Sequence, residues 1–428
     1  MLGRLARSRF VRNVAVLSSG QTIAQVLTIA ASPILTRLFE PDAFGSFGLL
    51  ISLSSPLIVI SGLRYELAVV TAKSVTVAAN LLALSCAIVL LMSGLAAGLV
   101  GAFGTWIAAL VERPEFEGLL WWLPVFVLAE GTYQAFTYWS NRRSHYRRLA
   151  ISRALQSLSA LSSQIMAGLA NLGLAGLVVG RALGQFIAAG FLAVLIWRDD
   201  RSLIKASIKT EKILEVAKQN SQFPKYNAPQ NFINSLSIAF IPYTLAAFFG
   251  VEIVGFFYLA QRVMGTPSAF VSGSLKRVFL QSASDLHNQG KSFYPLLVKT
   301  FLALFSIGII PVILLLFYGP EIFTVIFGAE WRNAGVFVQW LVNWWFLAFI
   351  AGPAMEALTI LKLQKYLLFF RVTFSSARVL SILLGAMIGD HMTAIASISI
   401  VGVVFNLILI VGTLIVTQRQ SRRVVGEH

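Results

Sequence analysis

Of the 428 residues, 57% are hydrophobic and only 12% charged, against roughly 25% charge in a soluble domain, and the mean hydropathy is +0.78. The formal net charge is +16, from 34 Lys and Arg against 18 Asp and Glu. Such a chain is an integral membrane protein with no room for a soluble domain, and its single cysteine, Cys86, excludes a disulfide framework or a thiol metal site.

Apolar runs of about 20 residues, the length a helix needs to cross roughly 30 Å of hydrocarbon, recur from end to end. Twelve spans are expected, near residues 14–38, 43–63, 75–103, 118–139, 149–171, 174–197, 226–249, 251–275, 293–318, 333–360, 365–388 and 393–417. The first follows the basic start Arg4, Arg7, Arg9 and Arg12; its run is too long for a cleaved signal sequence and reads as a retained span. The second ends on Arg64, whose neighbour Glu66 in "RYE" offers a local ion pair. The third holds Cys86, and the fourth holds Trp121 and Trp122 at its outer boundary and Glu130 at depth.

After the fourth span comes the basic run "NRRSHYRR", Asn141 to Arg148, which suits orientation and anionic lipid. Arg181 lies in the outer third of the sixth span. Arg262 stands about 11 residues into the eighth, roughly 16 Å from its start and too deep to snorkel easily, with Pro267 five residues on as a candidate kink. Trp344 and Trp345 fall inside the tenth span, as packing or as a sugar platform. Arg371 and Arg378 are seven apart and share a face of the eleventh, where Arg371 can pair with Glu356.

With both termini cytoplasmic, about 26 of the 34 Lys and Arg fall in or beside inside segments, including the loop from Arg198 to Lys225 and the tail Arg419, Arg422 and Arg423. The outside loops carry Glu40, Asp42, Glu112, Glu115, Glu117, Glu321 and Glu330. The basic residues are spread over many loops without interleaved aromatics, which argues for lipid headgroups and against nucleic acid. The four histidines, His145, His287, His391 and His428, have no second ligand at i+3 or i+4, so no metal site is expected. No phosphate loop, nucleophile elbow or paired-carboxylate motif appears, and short outside loops disfavour an enzyme. No cofactor is expected beyond H+ or Na+ as a coupling ion at Glu130; a plain ion pair is the other reading of that carboxylate.

The two halves show a repeat. "LTRLFEPDAFGSFGLL" from Leu35 aligns with "LAAFFGVEIVGFFYLA" from Leu245 at an offset of 210, matching Phe39 to Phe249, Asp42 to Glu252, Gly45 to Gly255 and Phe47 to Phe257. The expected architecture is all-α, with two six-helix bundles, residues 1–205 and 206–428.

Four segments then carry a family resemblance: "PILTRLFEPDAFGSFGLLISL" from Pro33, "GLRYELAVV" from Gly62, "VGFFYLAQRVMGTPSAFVSGSLKRVFLQSASDLHNQGK" from Val254 and "FGAEWRNAGVFVQWLVNWWFLAFIAGPAMEAL" from Phe327. With Tyr258, Ala260, Arg262 and Pro267 in the family's spacing, the chain resembles the oligosaccharide (O-antigen or exopolysaccharide repeat-unit) flippases of the polysaccharide transporter family. These belong to the MOP superfamily, with the lipid II flippases and the multidrug and toxin extrusion (MATE) antiporters. The resemblance implies a polyprenyl-pyrophosphate-linked glycan moved across the bacterial inner membrane by alternating access, alongside polysaccharide polymerase components. The candidate pyrophosphate-binding residues are Arg262, Arg378, Arg181 and Arg64, since pyrophosphate in hydrocarbon needs cationic partners in a wet cavity. For Arg262 the other reading is a buried ion pair, with Glu130 as one partner. A small-molecule or cation antiporter of the same superfamily, and a membrane polysaccharide polymerase or ligase, remain as alternatives.

Overall fold

The computed structural model describes residues 2–110 and 116–426, without the side chains of residues 2–19, 110, 266–274, 276–277 and 422–426. Glu112, Glu115, His428 and the side chains of Arg4, Arg7, Arg9, Arg12, Pro267, Arg422 and Arg423 therefore lie outside the described residues. Within them the chain is helical, without a strand.

In chain order the first half runs α1 (Leu2–Leu38), α2 (Pro41–Ile60), α3 (Tyr65–Thr71), α4 (Val75–Leu110), α5 (Phe116–Leu120), α6 (Trp122–Arg142), α7 (Tyr146–Leu169) and α8 (Gly173–Ser207). The rest runs α9 (Thr210–Gln219), α10 (Ala228–Phe249), α11 (Val251–Asn288), α12 (Tyr294–Phe327), α13 (Arg332–Ile360), α14 (Gln364–Ile388) and α15 (His391–Gly426). A single π turn, Phe223–Asn227, precedes α10, and a 3-10 turn, Ala329–Trp331, precedes α13. Each of the twelve expected spans falls on a helix of at least 20 residues, and eight of the helices are apolar enough over 18 residues to cross a membrane on composition and length.

The less apolar α7 shows why polarity does not bar a helix from this fold. Its polar side chains find partners on neighbouring helices: Arg153 donates to Gln21 Oε1 at 2.9 Å, Ser157 to the Ala24 carbonyl at 3.0 Å and Gln164 to the Leu177 carbonyl at 3.0 Å. Such bonds tie helices together where lipid offers no hydrogen-bonding competitor.

Helix ends follow local rules. At α6, α7, α11 and α13 the chain leaves the helix through a left-handed residue, Ser144, Asn171, Gly290 and Lys362 respectively. Each is followed by a six-to-one bond, such as His145 N–H to the Ser140 carbonyl and Leu363 N–H to the Leu358 carbonyl, both 2.9 Å, which satisfies a terminal carbonyl and turns the chain sharply. The repeat is visible in the same terms: α2 starts at Pro41 and α11 at Val251, 210 residues apart, and Gly45, Phe47, Gly255 and Phe257 are all buried.

The chain divides into two compact units, Met1–Tyr243 and Thr244–His428. In the first, α7 and α8 meet through small residues. A Cβ added to Gly176, Gly180 or Gly184 would lie within 2.6 Å of Ala167, Gln164 or Ala160 respectively, so these positions admit nothing larger than hydrogen. This four-residue spacing is the membrane signature of close helix approach. In the second unit α12 and α13 cross at Gly319 and Gly335, each within 2.8 Å of the other's carbonyl by the same measure, beside the non-helical Tyr318 and Pro320. Its core includes Phe256, set edge-on to Trp331 and Phe337 at 6.1 and 6.3 Å.

A leucine at Gly180 or Gly184 should force α7 from α8 and destabilise the protein by about 1–3 kcal/mol, as overpacking does. Thermal unfolding in detergent measures this, with Gly190→Leu as the control, since nothing lies within 4 Å of a Cβ there; an equal drop in the control would refute the packing account.

Candidate functional site

The glycine face of α8 packs on α7 and leaves the next residue, Arg181, on another face. There it meets Glu130 of α6, NH2 to Oε2 at 3.8 Å, with side chains 42% and 20% exposed. Arg181 lies eight residues into α8 and Glu130 eight residues into α6, so both stand about 12 Å from their helix starts. Equal depth explains the pairing. Glu130 is shallower than the fourth span suggests because residues 116–120 fold as the separate α5.

The pair lines a pocket of about 200 Å³ together with Ser54, Ser55, Phe126 and Gln185. Ser55 shares a hydrogen bond with Ser235 at 3.1 Å. Gln185 is 1% exposed and accepts from Gln156, while its own amide nitrogen has no hydrogen-bond partner. A carboxylate, a guanidinium and an amide thus line one small space in an intramembrane segment. Gln185 was not among the expected residues; its i+4 step from Arg181 is the signal that it shares the face.

The break between α2 and α3 is a second polar site. Leu63 and Arg64 both take left-handed backbone, φ 48 and 64°, which is strained for residues with a Cβ. The turn brings Arg64 to Glu66, NH1 to Oε1 at 3.6 Å, and buries Glu66 to 3% exposure. Glu66 Oε2 has no hydrogen-bond partner and lies 2.6 Å from where a Gly62 Cβ would sit, so only glycine leaves it room. Arg64 is 17% exposed and pairs with Glu66, one of the two readings that the sequence offered for it.

In the second unit, Arg262 is half-buried on α11, 11 residues or about 16 Å from its start, as the sequence depth implied. Arg378 is 7% exposed and lies 14 residues, about 21 Å, into α14. Its guanidinium lies 5.4 Å from the centroid of Phe374, which stacks on Phe405 at 5.1 Å. Trp344 packs edge-on to Phe374 at 6.5 Å, and Gly402 gives it room, since a Cβ there would come within 2.2 Å of the indole. Trp344 is thus packing in this fold. Arg371 is exposed and its NH2 approaches Met355 Sδ at 3.7 Å.

Three arginines of the run "NRRSHYRR" have protein partners. Arg142 donates to the carbonyls of Val69, Val70 and Ala72 at 2.7–3.2 Å, closing the C-terminal end of α3. Arg143 pairs with Asp200 at 3.3 Å, where the Trp139 indole also donates at 2.9 Å, and Arg148 pairs with Asp199. His145 sits among them; partial burial first, then Arg148, lowers its pKa from the usual 6.5, so its imidazole is neutral at physiological pH.

Comparison with known proteins adds a family and a fold. A family model described as "Polysaccharide biosynthesis protein" matches residues 34–336, more than half of the chain. The fold is similar to "Lipid II flippase MurJ, inward closed conformation" (TM-score 0.74, 12% identity, 96% of this chain and 91% of that one). It is also similar to "Inward-facing conformation of a multidrug resistance MATE family transporter of the MOP superfamily" (0.71, 13%, 95% and 99%). A third structure, "Crystal structure of MATE in the bent conformation", aligns at 0.59 with 11% identity over 97% and 96% of the two chains. No curated protein matches the chain by sequence.

Removing one member of the Glu130–Arg181 pair leaves the other charged in a poorly hydrated pocket. Because both retain some exposure, Arg181→Gln should cost about 1–3 kcal/mol, less than a fully buried pair, and adding Glu130→Gln should restore most of it. Thermal unfolding of the single and double variants checks this; additive losses would dismiss the pair.

Proposed function

The chain belongs to the polysaccharide biosynthesis protein family, and from that premise we propose that it is a flippase moving a polyprenyl-pyrophosphate-linked oligosaccharide across the bacterial inner membrane by alternating access. The observation that carries this reading is the depth of its arginines: Arg262 about 16 Å into α11 and Arg378 about 21 Å into α14, both on helices of a multi-span chain. Cations so far from either helix start suit a diphosphate crossing hydrocarbon, through paired charge-assisted hydrogen bonds. Arg262 and Arg378 hold the pyrophosphate, and Arg181 and Arg64 contact it by exchanging with Glu130 and Glu66. Glu130 is the coupling carboxylate, binding H+ or Na+ when Arg181 lets go. The glycan is used in cell-surface polysaccharide synthesis, next to polymerase components, and the protein catalyses no bond change.

A cation or drug antiporter is the second reading, favoured by the fold shared with the MATE family transporter. Against it, the intramembrane charges lean cationic, whereas a cation site would favour carboxylates and aromatic faces.

In a strain lacking the chromosomal gene, lipid-linked glycan should accumulate and export should be restored by the wild-type chain. Arg262→Ala should abolish export at near wild-type abundance, and Arg262→Lys should retain part of it as a point charge without the planar fork. Full export by a well-folded Arg262→Ala protein would sink the binding role.

The distribution of basic residues supports cytoplasmic termini. Reporter fusions near Lys212 and at the C-terminus should read cytoplasmic and one after Glu117 periplasmic; a periplasmic signal at Lys212 would reverse the orientation.

A further inference from the structure

In the first unit, sharing no lining residue with the Glu130 pocket, a groove of about 710 Å³ runs between α4 and α8 over Phe136 of α6. Leu82, Ala83 and Cys86 form one wall and Val194 and Ile196 the other, with Arg198 and Arg201 at one end. The wall is open to its surroundings, with Val194 66% and Trp197 54% exposed. Asn80 closes the same end by bonding to the Ser207 carbonyl at 2.9 Å and to the Lys209 N–H at 3.1 Å.

Depth sorts the groove into two zones. Trp197 lies 24 residues after Gly173, about 36 Å along α8 and beyond roughly 30 Å of hydrocarbon, so it and the cations after it stand at headgroup level. Cys86 lies 11 residues into α4, about 16 Å from its start and within the hydrocarbon. The α4 wall around Cys86 is therefore at acyl-chain depth, while the α8 wall from Val194, about 32 Å along that helix, lies at the hydrocarbon boundary and leads to the basic part at phosphate depth.

Charge at that end is not balanced by protein. Asp199 is taken by Arg148 and by Arg198, the latter at 2.8 Å, and Asp200 by Arg143. Arg201 and Lys205 are left without a carboxylate among the described residues, and Lys205 lies over the Trp197 ring at 5.0 Å, held at the rim. Basic rims on apolar clefts between spanning helices are the features that retain anionic lipid headgroups.

We propose that this groove binds one anionic glycerophospholipid from the surrounding leaflet, its acyl chain along Leu82, Ala83 and Cys86 and its phosphate at Arg201 and Lys205. The site is separate from the residues assigned to the transported glycan and does not depend on what the chain moves.

The test uses the full chain in vesicles carrying phosphatidylglycerol with a photoactivatable diazirine in its acyl chain, and peptide mapping of the adducts. Adducts should concentrate on residues 79–86 and 193–197 and fall about ten-fold or more in the double variant Arg201→Gln with Lys205→Gln, given about 1 kcal/mol per cation near a headgroup. Ala83→Trp, which fills the groove, should remove them while labelling elsewhere stays unchanged. Equal labelling by the phosphatidylcholine analogue, or no loss in the glutamine variant, would show ordinary annular lipid and overturn the proposal. Displacement by polyprenyl phosphate but not by excess unlabelled phosphatidylglycerol would assign the groove to a substrate lipid, which also overturns it. Should Ala83→Trp unfold, the glutamine variant on the exposed rim decides alone, and since labelling needs no transport, its outcome is independent of the export assay.

Discussion

A charge within hydrocarbon persists only beside an opposite charge, a hydrogen-bonding partner or water, and that single constraint organises the polar residues of this chain. Arg181 stands against Glu130, Arg64 against Glu66, and Arg153, Gln156, Ser157 and Gln164 of α7 bond across to α1 and α8. Arg378 lies against the face of Phe374. Polar groups are therefore concentrated where helices meet, and the sites able to carry chemistry are the places where the helical lattice is strained or opened.

Close helix approach makes those sites possible. Because lipid is as apolar as leucine, helices gain little from apolar contact alone and associate where small residues let backbones touch. The glycine face of α8 holds α7 and frees the adjacent face for Arg181 and Gln185, so one helix both packs and lines a pocket. At Gly62 the same property serves a different end: the missing Cβ leaves room for a buried carboxylate beside two residues in left-handed backbone. Such a break in a spanning segment is where transport proteins commonly expose polar backbone and side chains.

The basic residues divide by the same logic. Arg142, Arg143 and Arg148 meet helix-end carbonyls, Asp200 and Asp199, so the run also acts as a clamp joining α6, α7, α3 and α8. Further along, Arg201 and Lys205 have no carboxylate partner among the described residues. Partner identity, more than local charge density, separates the two sets.

About twelve spans, the all-helical class, the helix start at Val251 and the positions of Arg262 and Arg378 along their helices were legible in the residues, because hydropathy, rise per residue and turn chemistry are local properties. The resemblance carried by the segments around Gly62, Val254 and Phe327 likewise anticipated the family. Pairing was not legible. Glu130 reads as near the midplane until α5 is seen to be a separate helix, and only then do its depth and that of Arg181 agree. Glu66 reads as half of a local pair with Arg64, and only the turn at Leu63 and Arg64 shows it buried; Trp344 reads first as packing, and only the tertiary structure shows Gly402, some sixty residues on, receiving it. Depth along one helix follows from the sequence; which faces of different helices meet depends on rotation and on contacts between distant residues, and that only the tertiary structure decides.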